Sequence, residues 1–92
     1  MKFEEIEEII CSEIGITPDE FKSGRNKAEF VAAKTIFIHF ASLVSINKPK
    51  IAEYVNQRES TLYLAAKRYD DRMLTDRVFR NITNTIKEKL NV

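Results

Sequence analysis

Chain breakers are nearly missing from this sequence. Its only glycines are Gly15 and Gly24, and its only prolines are Pro18 and Pro49. Long stretches therefore run uninterrupted, which excludes a turn-rich β architecture and argues for an all-helical chain. Cysteine is limited to Cys11, so no internal disulfide can form, and a reducing compartment such as the cytoplasm suits the chain. Histidine is limited to His39; with no second histidine and no cysteine nearby, a zinc site has no ligand set. No apolar run approaches the ~20 residues that a membrane span requires. The acidic opening stretch is unlike a signal peptide. One His, one Cys and scattered carboxylates offer no catalytic constellation, so neither an enzyme nor a cofactor is expected. The 92 residues are expected to form one domain with one core.

Formal net charge is only +1, which by itself does not point to nucleic acid. Its distribution is more informative. Residues 1–21 carry net −6, residues 22–72 net +5, and residues 73–92 net +2. A positive excess that is largest in the middle of the chain is what a phosphate-facing surface gives, and equally what a solvated basic face gives.

Apolar spacing divides the chain into about six helices. Phe3, Ile6, Ile10 and Ile14 form one stripe over residues 2–14, with Glu4, Glu5, Glu7 and Glu8 expected outside. Gly15 sits where a helix C-terminal glycine belongs. Thr17, Pro18 and Glu20 spell a capping box with proline in the first turn of a short helix to about Lys22. Residues 22–29 form a basic loop around Gly24. From about Lys27 to Val44 runs the most apolar segment, apolar on most sides, as befits a buried central helix; His39 is expected opposite its main stripe. Asn47 or Lys48 precedes the next helix, with Pro49 in its first turn, and Ile51, Ala52 and Val55 facing inward. Asn56 suits the left-handed geometry of a tight turn. A longer helix then starts near Arg58 or Glu59 and packs through Leu62, Ala65, Ala66, Tyr69 and Met73. Thr75 is expected to cap a last helix that buries Val78, Phe79, Ile82, Ile86 and Leu90. Residues 47–73 thus have the outline of a helix-turn-helix, whose second helix opens on small hydroxyl residues.

The order of these parts resembles the C-terminal DNA-binding domain (domain IV) of the bacterial chromosomal replication initiator DnaA. VAAKTIFIHFASLVS (31–45) is similar to that family's VEARQIAMYLARELT. Asn47-Lys48-Pro49-Lys50-Ile51 is similar to its Ser-Leu-Pro-Glu-Ile. Its signature Asp-His-(Ser/Thr)-Thr-Val, followed by Leu-His-Ala-Cys-Arg-Lys-Ile, meets Arg58-Glu59-Ser60-Thr61-Leu62 and then Tyr63-Leu64-Ala65-Ala66-Lys67-Arg68-Tyr69. The Ser-Thr pair, Ala65 and the basic pair agree. Arg58 and Glu59 replace Asp and His, and Asn56-Gln57 replaces a Gly-Gly-Arg turn. No phosphate loop of the G-x-x-x-x-G-K-[ST] type is present, so the initiator's ATPase has no counterpart in these residues.

The resemblance implies a Trp-repressor-like all-α fold and binding of double-stranded DNA in a nucleoid-associated setting, in replication initiation or its regulation. It implies Ser60 and Thr61 at the mouth of the recognition helix, with Arg58 on a guanine or a phosphate. Glu59 would face a cytosine amino group or cap the helix. Arg25 or Lys27 would reach the minor groove, and Lys48, Lys50, Lys67 and Arg68 would contact phosphates. The alternative is a protein-interaction module that kept the fold and lost DNA binding, its acidic first helix serving as a partner face or covering the basic one. Replacing Thr61 by Val keeps shape and removes only the hydroxyl. Binding of duplex DNA, followed by fluorescence anisotropy, should weaken while the melting temperature stays nearly unchanged; equal loss of folding would make Thr61 structural.

Overall fold

The computed structural model describes residues 2–92, and these form six helices and no strand: α1 (Phe3–Ile14), α2 (Pro18–Lys22), α3 (Ala28–Val44), α4 (Lys48–Tyr54), α5 (Glu59–Thr75) and α6 (Arg77–Leu90). Local chemistry sets most boundaries. Gly15 ends α1 at φ 84°, a conformation an L side chain rarely adopts. At α2 the backbone N–H of Glu20 donates to Thr17 Oγ1 at 3.1 Å, and Thr17 N–H donates to Glu20 Oε1 at 2.9 Å, completing the capping box. Asn47 caps α4 by accepting from Lys50 N–H at 3.2 Å. Asn56 turns the chain toward α5 at φ 55°, a backbone region asparagine tolerates better than most residues.

One cap falls a residue later than the spacing suggests. α5 runs through Thr75, whose hydroxyl donates back to the Asp71 carbonyl at 2.8 Å. Asp76 caps α6 instead, accepting from Phe79 N–H at 3.0 Å while Arg72 Nη2 holds its other oxygen at 3.0 Å. An ionised carboxylate makes both bonds charge-assisted, which a neutral threonine hydroxyl cannot match. The Phe79 N–H, with help from Arg72, keeps the Asp76 carboxyl below its ordinary range.

The core is built around α3, which packs against α1, α2, α4 and α5. Phe30, Ala33, Ile36, Phe37, Ile38, Phe40 and Ala41 are all buried, so the helix is covered on nearly every side, as its apolar girth predicts. At its centre Phe37 meets Phe3 and Phe21 edge-on, with centroids 5.7 and 5.4 Å away, and stacks on Tyr54 at 5.1 Å. Offset and edge-on aromatic pairs add to what area burial alone contributes.

Five placements differ from the helical-wheel expectation. Glu7 is buried rather than outside, because α1 is covered on two flanks. Tyr54 Oη donates to its Oε1 at 3.2 Å and Lys22 Nζ lies 3.8 Å from its Oε2. Burial and this carboxylate push the Tyr54 hydroxyl's pKa upward. Thr35, beside His39 on the wheel, is also buried, its hydroxyl bonded back to Val31 O at 2.8 Å. Val78 is 67% exposed, while Thr83 takes a buried place beside Phe79, Ile86 and Leu90; one residue of offset is ~100° around the helix. Ala66 is exposed, whereas Ala65 is buried. Val44, at the end of the α3 stripe, is also open to solvent.

Cys11 is a buried filler of the first helix. Burial, with Glu7 and Glu20 nearby, pushes its thiol up to about 11, so it is a poor nucleophile near neutrality. Among the described residues no helix is long and apolar enough to cross a membrane.

Truncating Phe37 to Ala removes the ring at the junction of α1, α2, α3 and α4. The expected loss is about 3–5 kcal/mol, a large part of the stability of a domain this size. Urea unfolding should show a midpoint near zero denaturant or no cooperative transition, and a loss under 1 kcal/mol would remove Phe37 from the centre of the core.

Candidate nucleic-acid interface

Two concave surfaces flank α5, and the candidate residues divide between them. The first is a cleft of about 220 Å³ where the loop at 23–27, the middle of α3, the turn at 55–58 and the first half of α5 converge. Arg25 from the loop, Lys34 from α3 and Arg68 from α5 line it, together with Asn56, Gln57 and Thr61. No carboxylate lines this cleft. Three bases around one small hollow raise the local potential, and a concave low-dielectric wall focuses it further.

Lys34 is the residue that spacing alone does not single out. It is only 6% exposed, and its Nζ donates to the Ser23 carbonyl at 2.6 Å. An ammonium carries three donors, and no ion pair involving Lys34 occurs among the described residues. Burial lowers its pKa from the ordinary 10.5, as expected for a cation taken out of water without a counter-charge. The bond to Ser23 also ties the basic loop to α3. Ser23 in turn ends α2, its hydroxyl donating to Glu20 O at 2.9 Å. The signal in the sequence is a lone base, Lys34, between Ala33 and Thr35-Ile36-Phe37 in the most apolar segment.

The two minor-groove candidates are separated by geometry. Arg25 lines the cleft. Lys27 is the N-cap residue of α3, and its ammonium lies over the Phe30 ring at 5.7 Å, directed at its own helix. Thr61 is half-buried at the cleft wall. Elsewhere in the chain Thr35, Ser42, Thr75 and Thr85 return their hydroxyls to the carbonyl four residues back. In the first turn of α5, Ser60 and Thr61 make no such bond, which leaves both hydroxyls available to a ligand.

The second concavity is a groove of about 750 Å³ on the opposite side of α5, against the C-terminal half of α3. Lys48, Glu59 and Ser60 stand at one end of it, His39, Tyr69 and Asp70 toward the other. His39 stacks on Tyr69 with centroids 3.8 Å apart and planes 6° apart, and burial lowers its pKa from the ordinary value. Lys48 lies over the exposed Tyr63 ring at 5.8 Å.

The remaining candidates lie apart from both. Lys50 lines a third, mixed-charge hollow with Lys2, Glu4, Lys22 and Glu53. Arg58 and Lys67 are exposed and line neither surface beside α5. Arg58 is the N-cap residue of α5 without a side-chain bond to it, and Glu59 forms no capping box there. The acidic first helix does not cover the cleft: Glu7 is engaged with Tyr54 and Lys22, and Glu13 pairs with Lys89. Among the described residues no cluster of His, Cys, Asp or Glu is placed to hold a metal.

Comparisons with protein-family models, with curated proteins and with solved structures find no match for this chain.

Changing Lys34 to Met keeps the apolar stem and removes the buried charge. The variant should be as stable as the parent or more so, because a desolvated cation without a carboxylate partner opposes folding. A base whose folded pKa is depressed binds fewer protons folded than unfolded just below 10.5. Parental stability therefore gains as pH rises toward that value, and the advantage of Lys34→Met shrinks over the same window. Thermal unfolding at several alkaline pH values reads this directly; a variant clearly less stable at neutral pH would make the bond to Ser23 the dominant role of Lys34.

Proposed function

We propose that this chain is a double-stranded DNA-binding module, with α4, the turn and α5 as its helix-turn-helix and the loop at 23–27 as a second contact. The observation that carries the reading is the convergence of Arg25, Lys34 and Arg68 on a cleft free of carboxylates. A phosphate oxygen is the ligand such a cleft suits, and a duplex presents phosphates in a row. The resemblance of residues 58–69 to the replication initiator's signature points the same way.

In this reading the cleft fixes register on the backbone, since phosphate contacts position a protein without specifying sequence. Ser60 and Thr61 supply the hydroxyls at the start of α5, and the threonine methyl can pack on a thymine methyl. The first amides of α5 favour an anion nearby through the helix dipole. Arg58 reaches a guanine edge or a phosphate. Glu59 repels phosphate and fits only beside a base-edge amino group, so the site read here differs from the initiator's. Lys67 adds a peripheral phosphate contact, and Lys48 and Lys50 reach the backbone from α4.

A second reading, a protein-interaction module, is favoured by one observation. The outward face of α5 carries Tyr63 and Leu64, both exposed, where a phosphate-bound helix would more often carry bases.

Selection from random duplexes at low and moderate salt separates the two. A DNA-binding module enriches one short motif, and the logarithm of its affinity falls linearly with the logarithm of salt concentration. Removing any one of Arg25, Lys34 or Arg68 by Met substitution should flatten that slope by about 0.9. Absence of binding even at low salt, with the fold intact by circular dichroism, would exclude the DNA reading.

A further inference from the structure

The outward face of α5 has a composition that phosphate contacts alone do not account for. Ser60 and Lys67 stand seven residues apart, about two helical turns, and therefore nearly on one line. Tyr63 and Leu64 lie between them, one to each side of that line, 74% and 54% exposed. The face thus reads hydroxyl, apolar pair and cation over roughly 10 Å of helix. Lys48 and Arg58, both exposed, stand at its margins. The one carboxylate from position 58 to 69 is Glu59, which repels phosphate and so suits base edges. Asp70 and Asp71 follow, both exposed, and mark where the face ceases to suit a phosphate backbone.

What a groove floor offers identifies the ligand chemistry. In a helix that enters the major groove by its N-terminal end, the outward side chains of the first turns face base edges, while cations at the margins face phosphates. Those edges present donors and acceptors with one exception, the 5-methyl group of thymine. Leucine has no donor or acceptor, so over any other base edge it strips water from polar atoms without replacing it. Over a thymine methyl, only apolar surface leaves water. The Tyr63 ring offers the same apolar body, and Lys48 lies over it at 5.8 Å, which links the exposed ring to α4. Uracil lacks the methyl, and the deep, narrow major groove of an RNA duplex is closed to side chains.

We infer that Tyr63 and Leu64 are specificity-determining residues, packing on thymine 5-methyl groups in the major groove and directing the module to thymine-containing duplex sites. Their role rests on the DNA reading above and adds a second turn to it. Ser60 and Thr61 meet the base pairs at the mouth of α5, and Tyr63 and Leu64 meet those one turn along. The apolar exposure of α5 is then the counterpart of the only apolar groups that a DNA groove displays, and Lys48, Arg58 and Lys67 stay at the margins where the strands run.

Thymine and uracil differ in the groove by that one methyl, so exchanging them tests the contact. Selection from random duplexes with the whole chain supplies the preferred duplex, which is then synthesised with 2′-deoxyuridine replacing each thymidine in turn. Anisotropy titrations should show about a fourfold loss of affinity for each methyl the pair covers. Tyr63→Ser and Leu64→Ser should each weaken binding of the thymine duplex and erase the thymine–uracil difference at one position. Tyr63→Phe should keep that difference, because the ring remains. Circular dichroism and melting temperature should be unchanged in all three, since both side chains are exposed. A difference that survives both serine variants and disappears in Thr61→Ser belongs to Thr61 and overturns the assignment. An enriched motif without thymine, or equal affinity for the two duplexes, overturns it while leaving the DNA reading intact. Serine variants that bind DNA as the parent does give the pair to a protein partner and overturn it too. Absence of any binding at low salt removes the DNA reading itself, and this assignment with it.

Discussion

The burial of α3 on nearly every side is the constraint on which the rest of this structure depends. A helix with Ile36, Phe37, Ile38 and Phe40 within five residues has almost no face there that it can leave in water. The other helices are accordingly arranged as its cover, α1 and α2 on one flank, α4 and α5 on others, with Phe37 at the junction. The short α4 is held by Ile51, Ala52 and Val55 against this hub, which fixes where the turn at 55–58 falls and where α5 begins. The candidate interface inherits its rigidity from that packing, because Thr61 and Arg68 are carried on α5 and Lys34 on α3 itself.

Legibility of the fold followed the strength of local chemistry. The capping box at Thr17 and Glu20, the glycine at position 15, Pro49 in the first turn of α4 and the left-handed Asn56 each depend on a few neighbouring atoms, and each is readable along the chain; which of Asn47 and Lys48 caps α4 is not. The residues that spacing misplaced depend on a second helix. Glu7 lies inside because Tyr54, 47 positions away, supplies a donor to it. Val78 and Thr83 exchange the places expected of a valine and a threonine because the phase of α6 is set by Phe79, Ile86 and Leu90 together. Ala66 looks like core by composition, but its burial depends on what stands opposite, and on this side of α5 there is a groove.

The candidate site was legible in part for the same reason. Hydroxyls at the start of a helix and bases in a glycine-containing loop can be seen along the chain. That Arg25 and not Lys27 reaches the cleft, and that Lys48 and Lys50 belong to different surfaces, depends on which way each helix faces. Lys34 is not legible along the chain because a base in an apolar segment reads as an interruption of the stripe. Its meaning comes only from Ser23 beneath its ammonium and from Arg25 and Arg68 around it.

Lys34 also gives the free protein a built-in electrostatic frustration. A cation held in a hollow with two other bases and no carboxylate raises the energy of the empty state, and whichever anion relieves it returns that energy to the fold. Occupancy and rigidity are then linked, because the bond from Lys34 to Ser23 is what holds the basic loop against α3. If the cleft takes an anion, as proposed, the protein's own melting temperature would rise with any anion that fits it and stay unmoved by those that do not.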